Sequence, residues 1–234
     1  YPCSSKYIVE SKSIKLYFNS FNMTKLGESS EVVRDNIGQM ASKDLSELLD
    51  MVVQVKVHSN KRALSDTSMF VAEKEWMHSE NCTPSYITLE DDYPVDDIKF
   101  SVYTETPELL EEIEDAPCKK VYYHSALLKS NCRVTSQPDW GDVYIYMKGM
   151  NTVDPISLLQ YIVSFRDECH FHEEICEAIY KRLMDTIQPE ELSIKCLYAR
   201  RGGIDINPER VSHKKLLHHT LSQVDVPHIK TPKQ

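Results

Sequence analysis

Cys132 lies seven positions before Asp139 in Ser-Asn-Cys-Arg-Val-Thr-Ser-Gln-Pro-Asp-Trp-Gly, residues 130–141. A thiolate is a strong nucleophile once neighbours lower its pKa. A carboxyl in the same loop can return a proton to whatever the sulfur has attacked. The pairing suits covalent catalysis on an electrophilic carbon. The blander reading is a buried thiol, since the chain has seven cysteines.

A second group crowds the start of a helical stretch: Cys169, His170, His172, Glu173, Glu174 and Cys176. Cysteine and histidine are the usual zinc ligands. Their spacing here is not close, and Cys176 falls one turn before Ile179 on the helix's apolar stripe. No metal is expected. A carboxylate such as Glu173 can instead accept two N–H bonds from the edge of a guanine-like ring. A structural first-turn Glu, answering the helix dipole, is the alternative. Glu10-Ser11-Lys12-Ser13 and Arg200-Arg201-Gly202-Gly203 pair cations with small residues. Such sets suit phosphate, and they equally suit solvated strand ends or turns. There is no Gly-rich dinucleotide fingerprint, so a nicotinamide cofactor would not sit in a Rossmann cleft.

The elements that must position these residues are legible in outline. Residues 121–128 and 143–147 are rich in Val, Tyr, Ile and Leu and read as strands. Gln137-Pro138-Asp139-Trp140-Gly141 between them is turn chemistry. Asp154-Pro155 offers an N-cap and a first-turn proline for a helix through about Phe165. Ile175, Ile179, Leu183 and Ile187 repeat every four residues, the buried stripe of a helix from about His172. Strands are expected near 191–199 and 203–207. A weaker copy of this order runs through the first half: Ser20-Phe21, a helical stretch near 31–42, then Leu45 and a strand near 52–57. The chain therefore reads as two copies of one unit.

Composition narrows the class. With 41% hydrophobic and 27% charged residues, the chain can bury a sizeable core. The net charge is −9. From Glu90 to Asp115 eleven acids face one base, Lys99, which reads as a solvated acidic connector. From Pro208 onward five bases face two acids, a modest basic tail. A broad basic stripe is missing, so direct nucleic-acid binding is not expected. No apolar run approaches the roughly 18 residues that cross a bilayer, so no membrane role is expected. An odd cysteine count, no CxxC pair and no secretory signal point to reduced thiols in the cytoplasm.

Four blocks together resemble the NADPH-dependent 7-cyano-7-deazaguanine (preQ0) reductases. They are Glu10-Ser11-Lys12-Ser13-Ile14-Lys15-Leu16-Tyr17; Leu127-Leu128-Lys129-Ser130-Asn131-Cys132 with Gln137-Pro138-Asp139-Trp140-Gly141; Phe171-His172-Glu173; and Arg200-Arg201-Gly202-Gly203-Ile204-Asp205-Ile206-Asn207-Pro208. The resemblance covers about Tyr7 to Pro208 and matches the family's longer, two-module branch.

It implies an α+β fold of two tandem tunnelling-fold (T-fold) modules, each an antiparallel sheet with two helices on one face. The modules would be 1–89 and 119–208, with a connector at 90–118 and a tail at 209–234. Only nine residues precede Glu10, so the first module is expected to lack its N-terminal part. The implied reaction reduces the nitrile of preQ0 to a primary amine, in the pathway to the tRNA base queuosine. Cys132 would form a covalent thioimide, Asp139 would donate the proton, and two NADPH would each deliver a hydride. Val9, Glu10, Ser11, His172 and Glu173 would hold the substrate; Ser11, Lys12, Arg201 and Gly202 would contact NADPH. A homo-oligomer, a dimer, is expected. Two other classes fit parts of the pattern: a non-catalytic purine-binding T-fold module, and a zinc-dependent T-fold enzyme acting on pterins or nucleotides. The family usually shows Trp-Arg after Asn-Pro, where this chain has Glu209-Arg210.

Overall fold

The computed structural model describes residues 5–7, 9, 11–57, 86–115, 120–200 and 206–216, with the side chains of Ser11, Lys12 and Lys15 left out. Glu10, Arg201 and Gly202 lie outside the described residues. The chain divides into two units, Tyr1–Asn60 and Lys61–Gln234.

In the N-terminal unit, helix α1 (Ser11–Asn19) takes up Ser11, Lys12 and Ser13 of the signature, which the sequence presented as a strand end or turn. Helix α2 (Ser30–Leu49) starts where Ser29 accepts a hydrogen bond from Val32 N–H, and it ends on Asp50 in the left-handed region. The strand expected near 52–57 is not one: these residues join no ladder among the described residues. Hydroxyl groups on α2 replace the missing partner strand. Ser46 Oγ accepts from Val53 N–H at 2.8 Å and Ser42 Oγ from Val55 N–H at 2.9 Å. Gly38 permits the approach, since a Cβ there would stand 3.3 Å from the Val55 carbonyl.

The C-terminal unit is built on a five-stranded sheet in the order β1-β3-β4-β6-β7. Its strands are β1 (Ile87–Thr88), β3 (Lys120–Asn131), β4 (Pro138–Lys148), β6 (Glu191–Tyr198) and β7 (Glu209–Val211). All neighbours are antiparallel except β1 with β3. A short pair, β2 (Glu112–Ile113) with β5 (Thr152–Val153), stands apart. Between the strands run α3 (Pro155–Ser164) and α4 (His172–Ile187). The expected order of strand, strand, helix, helix, strand, strand is thus present. The last strand is displaced, however: it is Glu209–Val211, while 206–208 are not strand and 203–205 lie outside the described residues. The basic tail accordingly begins inside the sheet.

Alternation decides which side of the sheet is core. Val143, Ile145 and Met147 of β4 register with Cys196, Ile194 and Leu192 of β6, and all are at most 1% exposed. Leu158 and Ile162 of α3 and Ile175 and Ile179 of α4 close the same cluster. Both helices were readable because their signals are local. Asp154 accepts from Ser157 N–H at 2.7 Å with Pro155 in the first turn, and the stripe at every fourth residue of α4 is buried.

The acidic stretch is not a solvated connector. Its few apolar residues are spaced to dock: Leu89 is fully buried, Leu110 nearly so, and Tyr93 and Phe100 pack on the same core. Its acids also have partners. Glu105 accepts from Tyr161 OH at 2.9 Å and pairs with Arg182 at 3.0 Å.

Glu191, at the start of β6, gives the unit a pH signature. Lys215 donates to it at 2.6 Å and Tyr146 OH at 2.8 Å. These contacts, Lys215 first, hold its carboxyl at about 2 against the usual 4.5. A depressed folded-state pKa stabilises the fold above the unfolded value, and that contribution disappears as pH falls from about 4.5 to about 2. Urea midpoints followed through that window should therefore fall less steeply for Glu191→Gln than for the native chain.

Candidate active site

The site grows out of one irregularity in β3. The register shifts between Ser125 and Leu128. This bulge adds a residue, so the face presented by each position changes beyond it. Before the bulge Tyr123 pairs with Ile145; after it Leu128 pairs with Gly141 and Ser130 with Asp139. Ser130 therefore shares the helix-bearing face with Asp139, and Cys132 follows just past the strand's end, where it is buried. The bulge is held by Glu90 of the acidic stretch, which accepts from Ala126 N–H at 2.5 Å, and by Ser125, which accepts from Leu127 N–H at 3.1 Å.

Asp139 is not in a turn, as its neighbours suggested, but on β4. Pro138 opens that strand opposite Asn131, where its missing N–H costs nothing. Asn131 directs its own backbone groups outward instead, its N–H to Glu168 O at 2.8 Å and its carbonyl to His170 N–H at 3.1 Å. The loop between the strands is tight: Cys132 N–H bonds Gln137 O and Ser136 N–H bonds Cys132 O, both at 2.8 Å. Ser136 adopts φ 53° to close it. Cys132 is 6% exposed and Asp139 5%.

From the other side α4 delivers His172. Its Nε2 lies 3.2 Å from Asp139 Oδ2, and both side chains are 5% exposed. The imidazole is fixed by stacking on Tyr198 of β6, at a centroid distance of 3.9 Å and 9° between planes. Tyr198 in turn sits over Gly141, where a Cβ would come within 3.0 Å of its ring. So a glycine in β4 makes room for a tyrosine in β6, which orients the histidine that meets the aspartate. Burial pushes the Tyr198 hydroxyl well above its usual value. Gly141→Val should displace that ring, lowering stability by about 1–3 kcal/mol and weakening the stack; urea unfolding and the histidine ring resonances would report both.

The loop after Cys132 is also tied to the start of α4. Arg133 pairs with Glu174 at 2.9 Å, lies 3.2 Å from His170 Nδ1 and sits over the Phe171 ring at 5.3 Å. Glu174 accepts from Phe171 N–H at 2.8 Å, which caps the helix and, as the largest cause, lowers its carboxyl pKa.

The structure thus brings Asp139 and His172 together, with Cys132 buried in the tight loop that joins β3 to β4. Glu173, one position on, is exposed and lines a groove of about 410 Å³ with Glu177, Arg182 and Arg210. Val9, Ser11 and Lys12 belong to the N-terminal unit. Cys176 is fully buried in the core and Cys169 is exposed; both are free thiols. Among the described residues no group of His, Cys, Asp and Glu could hold a metal ion, and no helix is long and apolar enough to cross a membrane. Sequence reading missed Ser130, Arg133, Gly141 and Tyr198 as supports. Only Gly141, a glycine inside a strand, carried a local signal of close approach.

A buried cysteine at the end of one strand, and on the next a buried aspartate beside a helix-borne histidine, are groups that thiol-based covalent chemistry can use. Comparison with known proteins makes the assignment narrower. Residues 1–57 match the model for the N-terminal part of the nitrile reductase, 7-cyano-7-deazaguanine reductase, and residues 138–216 that for QueF-like protein. The NADPH-dependent 7-cyano-7-deazaguanine reductase of Colwellia psychrerythraea is 38% identical over 216 residues, covering 91% of this chain and 68% of that protein. Those of Polaromonas naphthalenivorans and Legionella pneumophila are 36% and 40% identical, over 92% and 90% of this chain and 71% and 65% of theirs. An archaeosine synthase QueF-Like crystal structure in the apo form overlaps 44% of this chain and 92% of its own at 14% identity, with a TM-score of 0.35. The chain belongs to the 7-cyano-7-deazaguanine reductase family, as its four sequence blocks led one to expect.

Proposed function

We propose that this chain reduces the nitrile of preQ0 to the aminomethyl group of 7-aminomethyl-7-deazaguanine (preQ1), with NADPH as reductant, in queuosine biosynthesis. The observation that carries the reading is a buried Cys132 at the end of β3 and a buried Asp139 on the adjoining β4, joined by one tight loop, in a chain of this family. Cys132 Sγ adds to the nitrile carbon. The S–H proton passes to the Asp139 carboxylate, a C–S bond forms, one C–N π bond breaks, and its electron pair moves to nitrogen, which takes that proton from Asp139. The product is a thioimide, a better hydride acceptor than the nitrile. His172, 3.2 Å from Asp139, orients the carboxyl that must be reprotonated for the next transfer. His172 and Glu173, with Val9, Glu10 and Ser11 from the N-terminal unit, would bind the deazaguanine ring.

NADPH supplies hydride, two equivalents for each nitrile. Ser11 and Lys12 stand in the first turn of α1, where open backbone N–H groups and a lysine charge fit a phosphate. Arg201 and Gly202, outside the described residues, would complete the set. The chain would work in the cytoplasm as a homodimer, without touching nucleic acid; β7, the last strand of the described sheet, offers an edge for assembly.

The test is loss of NADPH absorbance on addition of preQ0. Two NADPH consumed per amine formed is the expected result. Tight binding of preQ0 with no NADPH loss would point to a purine-binding module, and one firmly held zinc per chain to the pterin or nucleotide class.

A further inference from the structure

Ser130 is fully buried, and its Oγ has no hydrogen-bond partner among the described residues. A buried hydroxyl left in that state costs about 1–3 kcal/mol, so its place calls for a reason. The register supplies one. Ser130 stands directly across the ladder from Asp139, and opposite residues on one face have Cβ atoms roughly 4.5–5.5 Å apart. A serine hydroxyl at that separation needs only a rotamer change to reach a carboxylate oxygen.

We infer that Ser130 is a positioning residue of this site, its hydroxyl turning to donate to the Asp139 carboxylate when that group is ionised. Near Asp139 stand His172 from α4, at 3.2 Å, and the Tyr198 ring of β6 on which that histidine stacks. His172 Nε2 lies 3.2 Å from one carboxylate oxygen, without the alignment of a hydrogen bond. Ser130 serves the other, and so keeps the acid in one orientation through the loss and return of its proton. A donor to the charged form favours that form. Removing it makes the carboxyl hold its proton to higher pH.

The inference rests on the reading of Asp139 as the proton donor, and two measurements separate them. The first is the ¹³C-carboxyl titration of Asp139 without substrate, in the native chain and in Ser130→Ala. The second is the pH profile of preQ0-dependent NADPH oxidation by the same proteins, with Ser130→Thr as the variant that restores the hydroxyl. The Asp139 midpoint should rise by roughly half to one pH unit in Ser130→Ala. The alkaline limb of kcat should follow it, and Ser130→Thr should return both. A purely structural role would lower the melting temperature and leave the titration where it was, and an unmoved titration overturns the inference whatever the activity does. A titration that shifts while the alkaline limb stays fixed upholds the Ser130 contact and removes Asp139 as the acid.

Discussion

Cys132→Ala should abolish covalent capture of preQ0 and lower turnover by at least about a thousandfold. The native protein incubated with preQ0 and no NADPH should gain the mass of one ligand; the variant should gain nothing. The expectation follows from the chemistry of the substrate. A nitrile carbon is a poor hydride acceptor, and the other thiols of this core, Cys176 and Cys196, are fully buried. The substitution is mild for the fold. Cys132 sits past the end of β3, and its backbone bonds to Gln137 and Ser136 do not involve the side chain. Loss of one sulfur from a 6% exposed position should leave the urea midpoint within about 1 kcal/mol of native stability. An adduct of unchanged mass in the variant would move the chemistry to another thiol, with exposed Cys169 the first to examine.

How much of this site could be read from residues alone varies with how local the physics is. Helices α3 and α4 were legible nearly to the residue, because a cap, a first-turn proline and a four-residue repeat act over one or two turns. Strand β4 was half legible. Its core, Val143 to Met147, declares itself, yet its first four residues, Pro138 to Gly141, carry turn composition. Two of the four are explained by something distant: Pro138 by the 168–170 segment that takes over Asn131's hydrogen bonds, and Gly141 by the Tyr198 ring. The bulge that brings Ser130 to the helix face depends on Glu90, 36 residues away from the N–H it accepts, and no periodicity in β3 announces it. The acidic stretch was misread for a related reason. A charge count weighs eleven acids and overlooks the spacing of Leu89, Tyr93 and Leu110. The strand expected at 52–57 failed because two serines of α2 satisfy its N–H groups. Cys132 stood out from six other cysteines by its loop and its spacing to Asp139, and the four matching blocks then gave it a role.

Asp139→Asn tests the other half of the chemistry, and a fall in kcat of about 10²–10⁴ is expected. Binding of preQ0 should change little, because the proton is needed only as the nitrile π electrons reach nitrogen. The amide keeps the shape of the carboxyl and can turn its oxygen toward His172, so the stack on Tyr198 and the melting temperature should survive. This makes the substitution more informative than Asp139→Ala, which would leave His172 buried without its partner, 5% exposed, and confuse a lost acid with a damaged site. The adduct supplies the finer distinction. With Asp139 as donor, thioimide formation in Asp139→Asn slows by the same factor as turnover. Adduct formation at the native rate with turnover still depressed would assign Asp139 to a later proton transfer, after the first hydride. Native rates for both would show that the buried aspartate serves only to hold the histidine.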